Sequence, residues 1–131
     1  MINFRLKTTN VTAEGLRELH NSTGVTPNVL SRIAIALSLR VSSQPEFVQG
    51  ESKGIEFNRH TLTGDLDILY KSIIKQHLGE DISEKEYFPN LFNSHLTRGV
   101  ELLQEEYQYA GNYNRFLNNL LGMALDNFEE N

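Results

Sequence analysis

Cysteine and tryptophan are both absent from this 131-residue chain. Without a thiol there can be no disulfide, no thiolate zinc or iron–sulfur site and no cysteine nucleophile. Histidine is sparse: His20, His60, His77 and His95 are scattered, and no two stand four apart as helical metal ligands do. Phosphate-cradling and dinucleotide fingerprints are missing. Asp65 and Asp67 project to different faces of a helix and so do not make a catalytic pair; both suit the positive end of a helix dipole. No catalytic, cofactor-binding or metal-binding residue is expected. Long apolar runs are lacking too. The longest, Ile33 to Leu37, has the length of part of a core helix, and the chain opens without the charged-then-apolar pattern of a secretory leader. The expected location is the cytoplasm, with no membrane partner.

Positive charge is also scarce: 12 Lys and Arg stand against 17 Asp and Glu, a net of −5. The two halves differ, however. Residues 1–60 carry a net of +2 and residues 61–131 a net of −7. Phosphate binding depends on a local cationic patch, so a basic front on an acidic body is compatible with nucleic acid, as it is with an ordinary solvated surface.

Apolar and charged residues make up 39% and 22% of the chain, the balance of a folded globular domain. A single domain over residues 1–131 is expected, mainly α, with a ribbon-helix-helix-like unit (1–41), a loop (42–60) and a helical remainder (61–131) of three further helices. In the first segment Ile2, Phe4 and Leu6 alternate with Asn3, Arg5 and Lys7, the period-two pattern of a half-buried strand with a cationic outer face. Thr12 is the expected cap of the next helix, Gly15 weakens it, and Gly24 ends it in the left-handed conformation. Thr26 and Pro27 open a second helix as cap and first residue, running to Leu39 and apolar on more than one side. A lone strand cannot form a sheet, so the order strand–helix–turn–helix predicts that the strand is completed by a second copy of the chain. Two such strands would present Arg5 and Lys7 twice on one surface, as two-stranded ribbons do in a DNA groove. The start of the second helix, at Thr26 and Asn28, offers free amides to a phosphate.

Within the loop, Ile55-Glu56-Phe57 reads as a short extended piece; beyond it, the spacing predicts an amphipathic helix from Thr61 or Thr63 to Leu78, with Leu66, Leu69, Tyr70, Ile73, Ile74 and Leu78 on its apolar face. Ser83 and Glu86 are spaced as a capping box. Pro89 predicts a kink. Phe92, Leu96, Val100, Leu103 and Tyr107 continue an apolar stripe to Gly111, and Tyr113, Phe116, Leu117, Leu120 and Leu121 give the last helix its core face.

Two runs are more distinctive. Thr23-Gly24-Val25-Thr26-Pro27-Asn28-Val29-Leu30-Ser31-Arg32, followed later by Glu56-Phe57-Asn58-Arg59-His60-Thr61-Leu62-Thr63-Gly64, resembles the DndE family of the bacterial DNA phosphorothioation machinery. The resemblance covers roughly residues 3–100 and finds no counterpart past Leu103. It implies a non-catalytic subunit of the system that replaces a non-bridging phosphate oxygen of DNA with sulfur. It further implies a tetramer with affinity for duplex DNA, nicked duplex included, acting beside a sulfurtransferase and an ATPase. A chain without cysteine cannot itself carry a persulfide, which agrees with that implication. The second run has two readings: Arg59 and His60, with Lys53 nearby, meet phosphates or a partner, or the run is structural. The expected backbone contacts are Arg5, Lys7, Thr26, Asn28, Lys53 and Arg59. Two alternatives remain open: a ribbon-helix-helix transcriptional regulator, and a protein–protein adaptor that never touches DNA.

Overall fold

The computed structural model describes residues 4–48 and 53–129, with side-chain surroundings up to Met123. Strand β1 (Arg5–Lys7) leads into helices α1 (Asn10–Thr23) and α2 (Pro27–Arg40). Strand β2 (Glu56–Asn58) runs directly into a short helix α3 (Arg59–Thr63) and a 3-10 turn (Gly64–Leu66) before α4 (Asp67–Leu78). A kinked segment (Glu86–Leu91) precedes α5 (Phe92–Ala110) and α6 (Tyr113–Glu129). The protein is therefore mainly α with a short strand unit, as the sequence predicts.

The ribbon closes differently from expectation. β1 pairs antiparallel with β2 of the same chain, Leu6 opposite Phe57 and Lys7 opposite Glu56. Arg59 N–H donates to the Phe4 carbonyl at 2.7 Å and Thr8 N–H to the Ile55 carbonyl at 2.9 Å, extending the ladder at both ends. The strand therefore finds its neighbour in cis. The cause lies in the loop stretch, where the short extended piece at Ile55-Glu56-Phe57 proves to mark a second three-residue strand; with Phe57 its single buried apolar residue, its pattern is too short to show that it pairs with β1. Phe4 stands outside the ladder and is exposed rather than sharing the inner face of Leu6. Ile2 and Asn3 lie outside the described residues.

Local signals fix most helix ends. Thr9, not Thr12, caps α1, its hydroxyl accepting the Thr12 N–H at 3.3 Å, because β1 ends early enough to free the first of several hydroxyls. Gly24 sits at φ 75° and closes α1, and Thr26 caps α2 ahead of Pro27, both as expected. Ser83 and Glu86 form the capping box. The chain leaves helical geometry at Phe88, the residue before Pro89. The single helix predicted up to Leu78 is broken at Gly64, whose φ of 53° an L side chain resists. Of its apolar face only Ile74 is fully buried, while Leu66, Leu69 and Ile73 are exposed. In α6 Phe116 is buried, whereas Tyr113, Leu117 and Leu121, expected in the core, are exposed.

The core is organised around the packing of α2 on α5. Leu30, Ala34 and Ile35 from α2 meet Phe92, Leu96, Val100 and Leu103 from α5, all buried. Gly99 makes this contact possible, for a Cβ there would fall on the backbone carbonyl of Ala34. Gly15, read as a weak point of α1, does similar work: a Cβ at that position would lie 2.8 Å from Val100 and Gln104.

Two polar networks join the helices. The Ser38 Oγ lies 2.8 Å from His95 Nδ1 and accepts from Arg98 Nε at 2.9 Å. Arg98 also donates to the carbonyls of Ser38 and Ser43, both at 2.7 Å, so a distant side chain caps the glycine-free end of α2. Burial, then the charges of His77 and Arg98, push His95 down from 6.5 to about 4, so it is neutral at pH 7.

The second network centres on Arg59, which is 6% exposed. Its guanidinium lies 5.1 Å from the Tyr87 ring centre and 5.0 Å from that of Phe88. It donates to Asp67 at 2.6 and 3.0 Å and to both Glu84 oxygens at 3.1 Å. Thr63 and Tyr87 hydroxyls also donate to Asp67 Oδ1, at 2.8 and 3.0 Å. Burial alone would raise the Asp67 carboxyl, but the hydrogen bonds from Arg59, Thr63 and Tyr87 outweigh it and hold the group below the ordinary carboxylate range. This latch ties β2 and α3 to α4 and to the kink before α5.

Three outcomes follow from this packing. Gly99→Ala should lose about 1–3 kcal/mol in urea denaturation, because overpacking against backbone exceeds the 0.5–1 kcal/mol that alanine adds to a helix. Arg59→Met should lose about 3–5 kcal/mol by leaving Asp67 enclosed without its cation, and Arg59→Lys should not restore it, since an ammonium cannot fork between two carboxylates. His95, with a folded pKa below its unfolded one, contributes stability that is full above 6.5 and is lost as pH falls through about 4. The urea midpoint should fall across that window by an amount equivalent to about 2–3 kcal/mol. His95→Gln should flatten the profile there and leave the further loss below the ordinary carboxylate range, where Asp67 protonates.

Candidate nucleic-acid interface

The ribbon aims its cations by the same alternation that buries its core residue. With Leu6 and Phe57 held inward, Arg5 and Lys7 must face solvent, and both are exposed. Gly54 N–H donates to the Thr8 carbonyl at 2.8 Å, which brings the exposed Lys53 beside the C-terminal end of β1. A Cβ on Gly54 would collide with Thr8 and Thr9, so the close approach of this loop to the ribbon requires glycine. Arg5 Nη1 lies 3.8 Å from Glu56 Oε2 between side chains 71% and 52% exposed, a screened pair that a phosphate can replace.

The other predicted contacts are elsewhere. Thr26 and Asn28 begin α2 at the far end of α1, a 14-residue helix spanning about 21 Å. The Thr26 hydroxyl is used on Val29 N–H at 3.5 Å, and Asn28 is half-buried with its Oδ1 enclosed and unpartnered. Arg59 is the centre of the internal latch, and its guanidinium is spent on Asp67 and Glu84 rather than turned to solvent. Arg5, Lys7 and Lys53 thus form one group; Thr26 and Asn28 form another; Arg59 belongs to neither.

A further constellation escaped the sequence reading. His77 Nε2 lies 2.6 Å from the Val41 carbonyl, which can only accept, so the proton sits on Nε2. Nδ1 is then the acceptor for Gln44 Nε2 at 3.1 Å, and Gln44 also donates to the His77 carbonyl at 2.8 Å. With Arg98 on Ser43, these bonds fix the start of the segment 43–48, which passes over α5 beside the first turn of α1. One sign was available: α2 ends at Arg40-Val41 without glycine or asparagine, an end that needs donors from elsewhere. Among the described residues there is no group of histidines and carboxylates able to hold a metal ion, and no helix long and apolar enough to cross a membrane.

The fold has known counterparts. The crystal structure of DndE from Escherichia coli B7A, involved in DNA phosphorothioation modification, matches with a TM-score of 0.62 and 22% identity over 76% of this chain and 97% of its own. A glycine-to-lysine double mutant of DndE, also involved in DNA phosphorothioation, matches with a TM-score of 0.62 and 18% identity, covering 79% and 99% respectively. No curated protein matches by sequence. The family described as DNA sulphur modification protein DndE matches residues 5–123, a span that runs well past Leu103 and takes in most of α6. By that match the chain belongs to the DndE family.

Proposed function

We propose that this chain is the non-catalytic DNA-binding accessory subunit of a DNA phosphorothioation system, holding duplex DNA, nicked duplex included, by its backbone. Family membership supports the place in the system. The observation that carries the DNA contact is the ribbon surface, where alternation turns Arg5 and Lys7 outward and Gly54 brings Lys53 beside them. Contacts of this kind position a protein on DNA without reading its sequence. Thr26 and Asn28 serve as a second, separate contact at the start of α2. Self-association to a tetramer repeats the ribbon patch around the assembly and so offsets the net charge of −5. The exposed apolar residues of α4 and α6 suit burial against other copies or against the sulfurtransferase and ATPase subunits in the cytoplasm. The absence of cysteine assigns sulfur delivery to those partners. The regulator reading loses its main support, since β1 is already paired within its own chain.

Titration of duplex binding against salt tests the contact. Log K should fall with log salt by about 0.9 per phosphate engaged, and Arg5→Glu with Lys7→Glu should weaken binding to all sequences alike and flatten that slope by about one per residue changed. Unchanged affinity and slope in the double variant would remove the ribbon from the interface. No binding at low salt would leave the adaptor reading.

A further inference from the structure

Beneath segment 43–48 two cavities of about 910 and 430 Å³ adjoin, sharing Phe47, Val48 and Ser94 as common walls. Together they form a groove along one face of α5 and the end of the kinked segment before it, from Asn90 at one end to Glu101 at the other. The eleven steps from residue 90 to residue 101 correspond to about 16 Å, the reach of about five residues of extended chain. The first turn of α1, at Asn10 and Val11, makes the opposite wall.

The hydroxyls and carboxylates of this groove offer acceptors, while the side-chain amides of Asn10 and Asn90 can serve in either sense. The Ser94 and Thr97 hydroxyls donate back to the Asn90 and Asn93 carbonyls at 3.0 and 2.8 Å, so what they can offer a ligand is lone pairs. Glu46 and Glu101 add two exposed carboxylates, neither in an ion pair among the described residues. Arg98 has its donors turned to Ser38, Val41 and Ser43. Lys7 stands at the other end. Phe47 and Val11, 79% and 71% exposed, give the rim an apolar lip. A phosphodiester brings no donors and would meet two carboxylates, so the groove is not a nucleic-acid channel. A polypeptide brings a row of N–H groups, and basic side chains would answer Glu46 and Glu101.

We propose that this groove between α5, the first turn of α1 and segment 43–48 receives an extended basic peptide segment of a partner protein, its cationic side chains beside Glu46 and Glu101. The inference does not depend on DNA binding by the ribbon: Lys7 borders both surfaces, whereas Arg5 belongs to the ribbon alone and Glu46 and Glu101 to the groove alone.

A displayed library of random heptapeptides, panned on the full chain, tests it. Enriched peptides should carry arginine or lysine, and their binding should weaken as salt rises. The double variant Glu46→Lys with Glu101→Lys, changed only at exposed positions, should bind them at least about tenfold more weakly, because charge repulsion replaces attraction. Phe47→Ala, which removes an exposed ring, should also weaken them, while Arg5→Glu, on the ribbon and outside the groove lining, should leave selection of arginine and lysine intact. Enrichment of neutral or acidic peptides, or equal binding to the Glu46/Glu101 variant, would overturn the proposal. So would displacement of the peptides by a ten-residue oligothymidylate.

Discussion

A missing side chain sets the distance on which the rest of the molecule depends. Because Gly99 carries no Cβ, α5 lies directly against the backbone of α2 at Ala34. Every polar tie between these helices is drawn to that spacing. Ser38 reaches His95, and Arg98 reaches past Ser38 to the loop beyond α2. Interiors pack at crystal-like density and cannot absorb a displaced helix locally, so a shift at Ala34 would be felt at both the α2 end and the groove. Gly15 repeats the device where α1 approaches Val100. Two glycines that local propensity counts as weaknesses are thus the points of closest helix contact.

The Arg59 latch is the counterpart of this apolar contact on the ribbon side. An arginine against two aromatic rings with two carboxylates in reach is held by geometry as well as charge. Its value lies in what it joins: the residue follows β2 immediately, while its partners come from α4 and the segment entering α5. The orientation of the ribbon, and so of Arg5 and Lys7, is set by this side chain together with Leu6 and Phe57, which are buried in the core.

Much of this was legible in the sequence, for reasons particular to each element. Caps and breakers act within a few residues, so Gly24, Thr26-Pro27, the Ser83–Glu86 box and Pro89 could be read directly. The stripe from Phe92 to Leu103 was clear because α5 is long and buried on a consistent face. Of β2 only a short extended piece at Ile55-Glu56-Phe57 was legible, since a strand of three residues has too few alternations to show what it pairs with. The ribbon was therefore given a partner in another copy. Exposure of Leu69 and Ile73 could not be foreseen, because an apolar face in sequence says nothing of whether a neighbour covers it. For the site, outward-facing Arg5 and Lys7 followed from alternation alone. Arg59 was ambiguous because its two carboxylates lie 8 and 25 positions away, beyond any local pattern. The groove was invisible for the same reason: its walls come from α1, α5 and a segment between α2 and β2.

The way α2 ends has one more consequence. Many helices close on a neighbouring glycine and can therefore fray independently of the rest of the protein. Here the closing donors belong to Arg98, sixty positions along from Ser38. Beyond the local Val41 N–H to Ser38 bond, the last turn of α2 takes its donors from α5 through Arg98 and from α4 through His77, so much of its order comes from tertiary assembly. Amide exchange at that turn would then report cooperative opening of the two helices together, and the entrance to the groove would loosen with them.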